Sequence, residues 1–218
     1  MRILITGATG LVGQGVLREC LLDSRVTRVL SLSRRATGLP SAKLEELVHA
    51  DFSDLLAIAG VLRPFDACLY CAGAPPIGTP EDEYRRVTLG LTTSVAQTLA
   101  RLNPDLRFVY VSGAHADPGS RFMPLRVKGE TERALAALPM RSVMLRPGGI
   151  QPVRGVRSPH RALAAAYAVG GPFMGVGVRL LPNLLTTTER VGRAMLALCA
   201  QDNPPAVVEN AEINRLGA

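Results

Sequence analysis

The sequence predicts an α/β fold: a doubly wound parallel sheet with a small C-terminal cap. Three observations carry this. Strand-length apolar runs alternate with amphipathic helical stretches from the first residues to about residue 146. The first run ends in glycine directly before a helical pattern, and beyond Pro147 the alternation gives way to Gly- and Pro-rich sequence. Strands that alternate with helices are covered on both faces and pair in parallel. The 218 residues suit one core, so residues 1–218 are read as a single domain with 148–185 as the cap segment.

Residues 2–6, RILIT, form the first strand, closed by Gly7, and Leu11, Val12, Val16, Leu17 and Leu21 repeat at helical spacing after it. A strand near 27–32 (TRVLSL), a strand near 46–50 (ELVHA), a helix near 53–62 and a strand near 66–72 follow. In TPEDEYRRV, Thr79 can cap a helix, Pro80 suits its first position, and Glu81 and Asp82 complement its dipole. That helix should run to about Leu102, before Asn103-Pro104. A strand at 106–112 (LRFVYVS), a helix at about 124–138 and a strand at 141–146 (RSVMLR) complete the regular part. After the cap, a helix near 187–201 is capped by one of Thr186 to Thr188.

Composition removes several classes of function. Apolar residues at 47% and charged residues at 20%, with no repeat or biased tract, exclude a disordered chain and a solenoid. MRILITGATG lacks the long apolar core of a signal peptide, so a cytoplasmic address is expected. Four cysteines without a histidine pair at ligand spacing imply neither a disulfide scaffold nor a metal. Cys68 and Cys71 spell C-x-x-C but lie in an apparent buried strand, where residues three apart point to opposite faces, so they read as structural. The net charge of +7 comes from scattered arginines not interleaved with aromatics, which fits an anionic small ligand and solvated surface and no nucleic acid. The apolar stretch Ala162–Val178, between Arg161 and Arg179, is too short for a stable membrane insertion and reads as a lid or a subunit contact, as in a homodimer.

The motif GATGLVG sets Gly7, Gly10 and Gly13 between the first strand and first helix. A tight turn, close approach of backbone to phosphate and close packing of helix on strand each need a residue without a side chain. The helix start offers free N–H groups to a pyrophosphate. The expected dinucleotide-binding residues here are Gly7, Thr9, Gly10, Leu11, Val12 and Gly13, in a Rossmann-type arrangement. About twenty residues further on, where an NAD site shows an acidic residue for the ribose hydroxyls, the chain has Ser33-Arg34-Arg35. Guanidinium groups bond the extra phosphate of NADP, so NADP is expected in preference to NAD.

With GATGLVG, SRR, HADFSD, CAGAP, VYVSG, VKGETE and RPGGI in this order, the chain resembles the short-chain dehydrogenase/reductase superfamily, and within it the atypical NAD(P)-binding, epimerase/dehydratase-like group. The resemblance covers residues 1 to about 150 well and the rest loosely. It implies that Asp51 and Phe52 sit at the adenine and that Cys71, Ala72 and Gly73 line the ribose. It implies Ser112 as the active-site serine, Lys128 at the nicotinamide ribose, and Pro147 and Gly148 beside the nicotinamide. Residue type alone leaves other roles open: Asp51 or Ser53 as a helix cap, Ser112 as a strand-end residue, His115 as a loop histidine.

The family pattern Y-x-x-x-K sets a tyrosine one helical turn before the lysine, so that the ammonium lowers the phenol's pKa. Here Lys128 matches the lysine and Pro124 occupies the tyrosine position; no other tyrosine has a lysine four residues on. Proline suits a first helical turn, so the fold is expected to survive without the usual proton donor. Thr88 stands where relatives often carry a relay asparagine. Two functions are therefore expected. One is an NADP-binding oxidoreductase-like protein acting on an unknown small molecule, with Ser112 and Lys128 positioning and a proton from His115, Tyr167, water or the substrate. The other is a catalytically silent NADP(H)-binding sensor or scaffold.

Overall fold

The computed structural model describes residues 1–156, 177 and 181–218. Tyr167 and the apolar stretch 162–178, apart from Gly177, lie outside the described residues, and with them much of the expected cap.

The alternation of apolar runs and helical stretches resolves as β1 (Arg2–Thr6), α1 (Leu11–Leu22), β2 (Arg28–Ser33), β3 (Leu44–Val48) and β4 (Ala67–Tyr70). One continuous helical rod comes next, made of α2 (Glu81–Arg85), a π-helical segment (Arg86–Leu91) and α3 (Thr92–Leu102). Then come β5 (Arg107–Val111), α4 (Met123–Ala136), β6 (Arg141–Arg146) and β7 (Gly149–Gln151). The chain returns through β8 (Leu185–Thr187), α5 (Thr188–Ala200), β9 (Val207–Glu209) and α6 (Asn210–Leu216).

Seven strands pair in the order β3-β2-β1-β4-β5-β6-β9, all parallel, and β7 pairs with β8 in a separate short ladder. The order reverses between β1 and β4, so the loops leaving their C-terminal ends diverge and open a crevice there. Alternation along the strands divides the core. Ile3, Ile5, Val29, Leu69 and Val109 pack with α1 and α5 on one face; Leu4, Leu32, Cys68, Tyr70, Phe108 and Tyr110 pack with α3 on the other. Leu99 of α3 is fully buried in the second layer, and its truncation to alanine would cost about 2–5 kcal/mol.

Several expected boundaries move. The third strand starts and ends two residues earlier than 46–50, because it pairs with β2 alone, from Val29↔Leu44 to Ser33↔Val48, which releases His49–Asp51 into the crevice loop. The helix expected at 53–62 is one 3₁₀ turn, Leu56–Ile58. Asp51 Oδ1 accepts from the Ser53 N–H at 2.8 Å and Asp54 Oδ1 from the Leu56 N–H at 3.2 Å, so two successive side-chain turns shape this stretch. Thr79 caps nothing: Pro80 stands at the helix start, which begins at Glu81 with no side-chain cap. Thr187 does cap α5, accepting from the Arg190 N–H at 3.1 Å. Cys68 and Cys71 divide between the two core faces as expected and are free thiols.

The C-terminal elements β9 and α6, absent from the sequence reading, fasten the end of the sheet. Asn210 and Asn214 each donate to the carbonyls of Pro182 and Leu185, and Asn210 Oδ1 accepts from the Gly148 N–H at 2.8 Å. They hold the segment after β6 against the segment before β8. A Cβ on Gly148 would meet the Leu184 carbonyl oxygen at 2.1 Å, so only glycine fits between them.

Candidate functional site

The crevice at the C-terminal ends of the strands is a groove of about 430 Å³. Its first wall is the β1–α1 turn. Gly7 has φ +70°, and a Cβ there would lie 2.6 Å from the Ala72 nitrogen, so the turn presses directly on the loop after β4. The Gly10 N–H donates to the Gly7 carbonyl at 2.9 Å, which closes the turn and starts α1 with its first N–H groups unused by any side chain. Gly7, Thr9 and Gly10 line the groove; Leu11, Val12 and Gly13 lie behind this wall, in α1.

Ser33, the last residue of β2, and Arg34 and Arg35 after it line the groove. The Ser33 hydroxyl donates to the Arg35 carbonyl at 2.6 Å, and Glu46 accepts from the Thr37 and Gly38 N–H groups at 2.6 and 3.3 Å, so the loop carrying the arginines is held from both sides. Bonding to Thr37 holds the Glu46 carboxyl below its ordinary pKa. Both arginine side chains are exposed and make no ion pair or hydrogen bond among the described residues. Ala50, Asp51, Phe52 and Ser53 form the neighbouring wall. The Asp51 carboxyl accepts from the Ser53 hydroxyl at 2.6 Å, which lowers its pKa.

Tyr70, Cys71, Ala72 and Gly73 continue from β4 along the groove. Burial pushes the Cys71 thiol up to about 12, so it is no thiolate at neutral pH. Arg86, Val87 and Leu91 of the π-helical segment also line it. Leu91 lies five positions on from Arg86, the i→i+5 spacing of π-helical hydrogen bonds. Arg86 was not singled out from sequence. The available signal was its neighbour: Arg85 pairs with Glu130 at 2.6 Å, whereas Arg86 is exposed with no partner among the described residues. The groove thus carries three unpaired guanidinium groups and one carboxylate, a balance suited to a ligand with several phosphates.

Ser112, Lys128, Pro147 and Gly148 are not part of that groove lining and form a second constellation beyond β5 and β6. Lys128 Nζ donates to the carbonyls of Val111 and Ser112 at 3.1 and 2.8 Å. Burial lowers its pKa to about 8, against an opposing pull from Glu132. Glu132 itself bonds Arg146 at 2.5 Å, anchoring α4 to β6. Ser112 is buried; its N–H continues the ladder to Leu145 at 2.7 Å, and its hydroxyl has no partner. The buried Pro147 accepts from the Ala114 N–H at 2.9 Å, so the loops after β5 and β6 are tied together. His115 is exposed, at φ 59°, in the loop after β5. Pro124 lies in the first turn of α4, one turn before Lys128, and the helix runs through it unbroken. Thr88 is buried in the π-helical segment. Among the described residues no cluster of side chains could hold a metal, and no helix is long and apolar enough to cross a membrane.

Comparison with known proteins agrees with this architecture. Among solved structures, MoeE5 in complex with UDP-glucuronic acid and NAD superposes with a TM-score of 0.70 at 19% identity, covering 95% of this chain and 75% of that one. A UDP-glucuronic acid 4-epimerase from Bacillus cereus in complex with NAD gives 0.66 at 15% identity, covering 95% and 76%. These establish the Rossmann-like fold. Among curated sequences, "Protein fmp52, mitochondrial" of Emericella nidulans is 32% identical over 174 residues, which are 76% of this chain and 74% of the relative. A protein of the same name from Aspergillus niger is 31% identical over 174 residues, with the same coverage. These names overturn the expected cytoplasmic address, which had rested on the character of the first ten residues alone. The NAD-dependent epimerase/dehydratase profile matches residues 3–133, from β1 into α4, and with the strand order and glycine turn this shows that the chain belongs to that family, in its atypical short-chain dehydrogenase/reductase-like branch.

Proposed function

We propose that the chain binds a nicotinamide dinucleotide, NADPH in preference to NADH, and acts as an oxidoreductase on a small carbonyl-type compound, in a mitochondrial setting like that of its fungal relatives. The observation that carries this is the pair Arg34 and Arg35, exposed and unpaired in a groove that the glycine turn after β1 also lines. The residues present fit the cofactor. The turn offers α1's free N–H groups to the pyrophosphate, and the arginines offer charge-assisted bonds to a 2′-phosphate. When bound, the dinucleotide supplies or accepts a hydride. Lys128 spends two of its three N–H groups on the Val111 and Ser112 carbonyls, which fixes the ammonium and leaves one proton for the nicotinamide ribose. The buried, unpartnered Ser112 hydroxyl would orient the substrate oxygen.

Pro124 favours a second reading, a sensor that binds NADP(H) and turns nothing over, because the phenol of a usual reductase has no counterpart on α4. One experiment separates the two. Purified protein is titrated with NADPH and NADH by calorimetry, then supplied with carbonyl, quinone and flavin acceptors. Tighter binding of NADPH together with its oxidation supports the oxidoreductase, and binding without oxidation selects the sensor. Absence of dinucleotide binding would sink both.

A further inference from the structure

Lys128 is gripped by carbonyls and by no acid. Its stem lies along the loop after β5, where a Cβ on Gly113 would come within 3.2 Å of the Lys128 Cδ, so glycine leaves the stem its path. The head donates to the Val111 and Ser112 carbonyls at 3.1 and 2.8 Å, and Nζ stands 5.4 Å from the centre of the Tyr110 ring. On α4 the residues one turn away are Pro124 and Leu125 before it and Thr131 and Glu132 after it. Only Glu132 carries charge, and Arg146 of β6 takes both of its oxygens, with Nε at 3.0 and 3.2 Å and a terminal nitrogen at 2.5 Å. Lys128 forms no ion pair among the described residues.

That grip suits a neutral amine. An ammonium carries three N–H groups, whereas the neutral amine carries two and one lone pair. The two carbonyls keep both remaining N–H groups when the third proton leaves, so deprotonation breaks neither bond and sets a lone pair where that proton was. Burial favours the same form and lowers the Lys128 pKa to about 8, with Glu132 opposing it. The free-amine fraction at neutral pH is then roughly two hundredfold larger than for a lysine at its ordinary value of about 10.4. Lys128 is half-buried, so it is not sealed from solvent. Lys43 provides the contrast within the chain. It donates to the Leu21 and Asp23 carbonyls at 3.2 and 2.8 Å, the same two-carbonyl grip, but at the C-terminal end of α1, where the helix dipole attracts a cation. The Asp23 carboxyl beside it is held below its ordinary pKa by Arg25 and also by Lys43.

We propose that Lys128 is a nucleophilic amine that captures small aldehydes reversibly as an imine, an activity separate from hydride transfer and independent of dinucleotide binding. The nitrogen lone pair adds to the aldehyde carbon, the C=O π pair moves to oxygen, and one proton passes from nitrogen to that oxygen. The nitrogen lone pair then expels the hydroxyl, which takes a proton from solvent and leaves as water, and the nitrogen returns a proton to solvent. Amine and aldehyde give imine and water, with nothing oxidised or reduced. While protonated, the imine keeps one N–H for one of the two carbonyls; loss of the other bond favours release. Aldehydes fit better than ketones because their carbonyl carbon bears a single substituent, which a half-buried nucleophile reaches more easily.

The test uses the full chain without dinucleotide. Benzaldehyde is added at neutral pH with sodium cyanoborohydride, which reduces an imine to a stable benzylamine, and the modified positions are read by peptide mass mapping. Lys43 and Lys128 are the only lysines, so each run contains its own comparison. Lys128 should be modified at least about tenfold faster than Lys43, a fraction of the gain that its larger free-amine population allows. Equal rates, or faster modification of Lys43, overturn the proposal. A second run with saturating NADPH separates this activity from the reading in which Lys128 addresses the nicotinamide ribose. Slower modification of Lys128 supports capture at that same position; undiminished modification leaves capture standing and removes Lys128 from the dinucleotide site.

Discussion

A Cβ on Gly13 would stand 2.0 Å from the carbonyl oxygen of Gly7 and 2.9 Å from the Ala8 Cα, so α1 packs on the first turn with backbone against backbone. Neither atom can give way as a flexible side chain would. Gly13→Ala should therefore cost about 1–3 kcal/mol, the range for overpacking, and lower Tm by roughly 2–12 °C for a domain of this size. Gly60 has open space around its Cβ position and no positive φ, so Gly60→Ala serves as the control. It should be neutral or stabilise by up to about 1 kcal/mol. Thermal unfolding of the two variants checks the contrast, and equal losses would show that the close approach is not what matters.

The three unpaired arginines of the groove predict different selectivities. Losing Arg34 or Arg35 should weaken NADPH by about 1.5–3 kcal/mol, roughly ten- to a hundredfold, and leave NADH nearly unchanged, because only NADPH carries the 2′-phosphate. Arg86 lines the same groove from the π-helical segment. Arg86→Ala should weaken both dinucleotides alike, through the phosphates they share. Calorimetry with both ligands on all three variants decides it; unchanged NADPH affinity in Arg34→Ala and Arg35→Ala together would remove the basis for NADPH selectivity.

Glu46 touches no ligand yet holds the arginine loop by its bonds to the Thr37 and Gly38 N–H groups. Its folded pKa is depressed, chiefly by the Thr37 hydroxyl, so its contribution is present above the ordinary glutamate value of about 4.3 and is lost as pH falls through the lower folded value. Glu46→Ala should raise the Kd for NADPH by roughly two- to tenfold, the worth of one ordinary hydrogen bond, and spare NADH. Proton–deuterium exchange of the Thr37 and Gly38 amides should quicken in the same variant.

How far the sequence carried follows from where each signal resides. Strands and the glycine turn are local: RILIT followed by GATGLVG contains its own periodicity and its own steric requirement, and β1, α1, β5 and β6 lie within a residue or two of expectation. The groove residues after β1, β2 and β4 were legible because strand ends in a parallel sheet converge on one edge. Arg86 was not, since a π-helical turn leaves no mark in apolar spacing and the free arginine is distinguished from Arg85 only by the latter's long-range partner, Glu130. The clamp of Asn210 and Asn214 on Pro182 and Leu185 was equally hidden, being a contact between two irregular segments. The helix expected at 53–62 is replaced by side-chain turns at Asp51 and Asp54 and one 3₁₀ turn, which polar side chains of this kind favour as readily as a helix start and which composition does not distinguish.

Lys128 sets a pH dependence of its own. Burial lowers its folded pKa to about 8, so in the window from 8 up to its unfolded value of about 10.4 the unfolded chain holds a proton that the folded chain has released. Stability should rise with pH across that window relative to Lys128→Met, the reverse of an ion-paired lysine. Dinucleotide-dependent activity should move the other way and fall above pH 8, as the ammonium that addresses the ribose is lost. Denaturant midpoints and initial rates from pH 7 to 10 check both limbs; parallel trends for wild type and Lys128→Met would show that the group is not desolvated.

Pro124 supplies the last prediction. It sits in the first turn of α4, half-buried, one turn before Lys128, where a tyrosine can take up the same backbone angles. Pro124→Tyr should leave α4 intact, because the helix start at Phe122–Met123 depends on no proline-specific contact and the Phe122 N–H is already bonded to the Ser120 hydroxyl at 3.1 Å. It would place a phenol near the Lys128 ammonium, whose charge favours the phenolate. General acid catalysis of that kind contributes ~10²–10⁴-fold, so NADPH-dependent carbonyl reduction should rise by a substantial part of that range and be abolished by adding Lys128→Ala. Such a gain would identify a site complete except for its acid. No gain, with NADPH binding and Tm unchanged, would mean that Thr88 and the loops around Ser112 have reshaped the pocket, and descent from a reductase that merely lost its tyrosine would have to be abandoned.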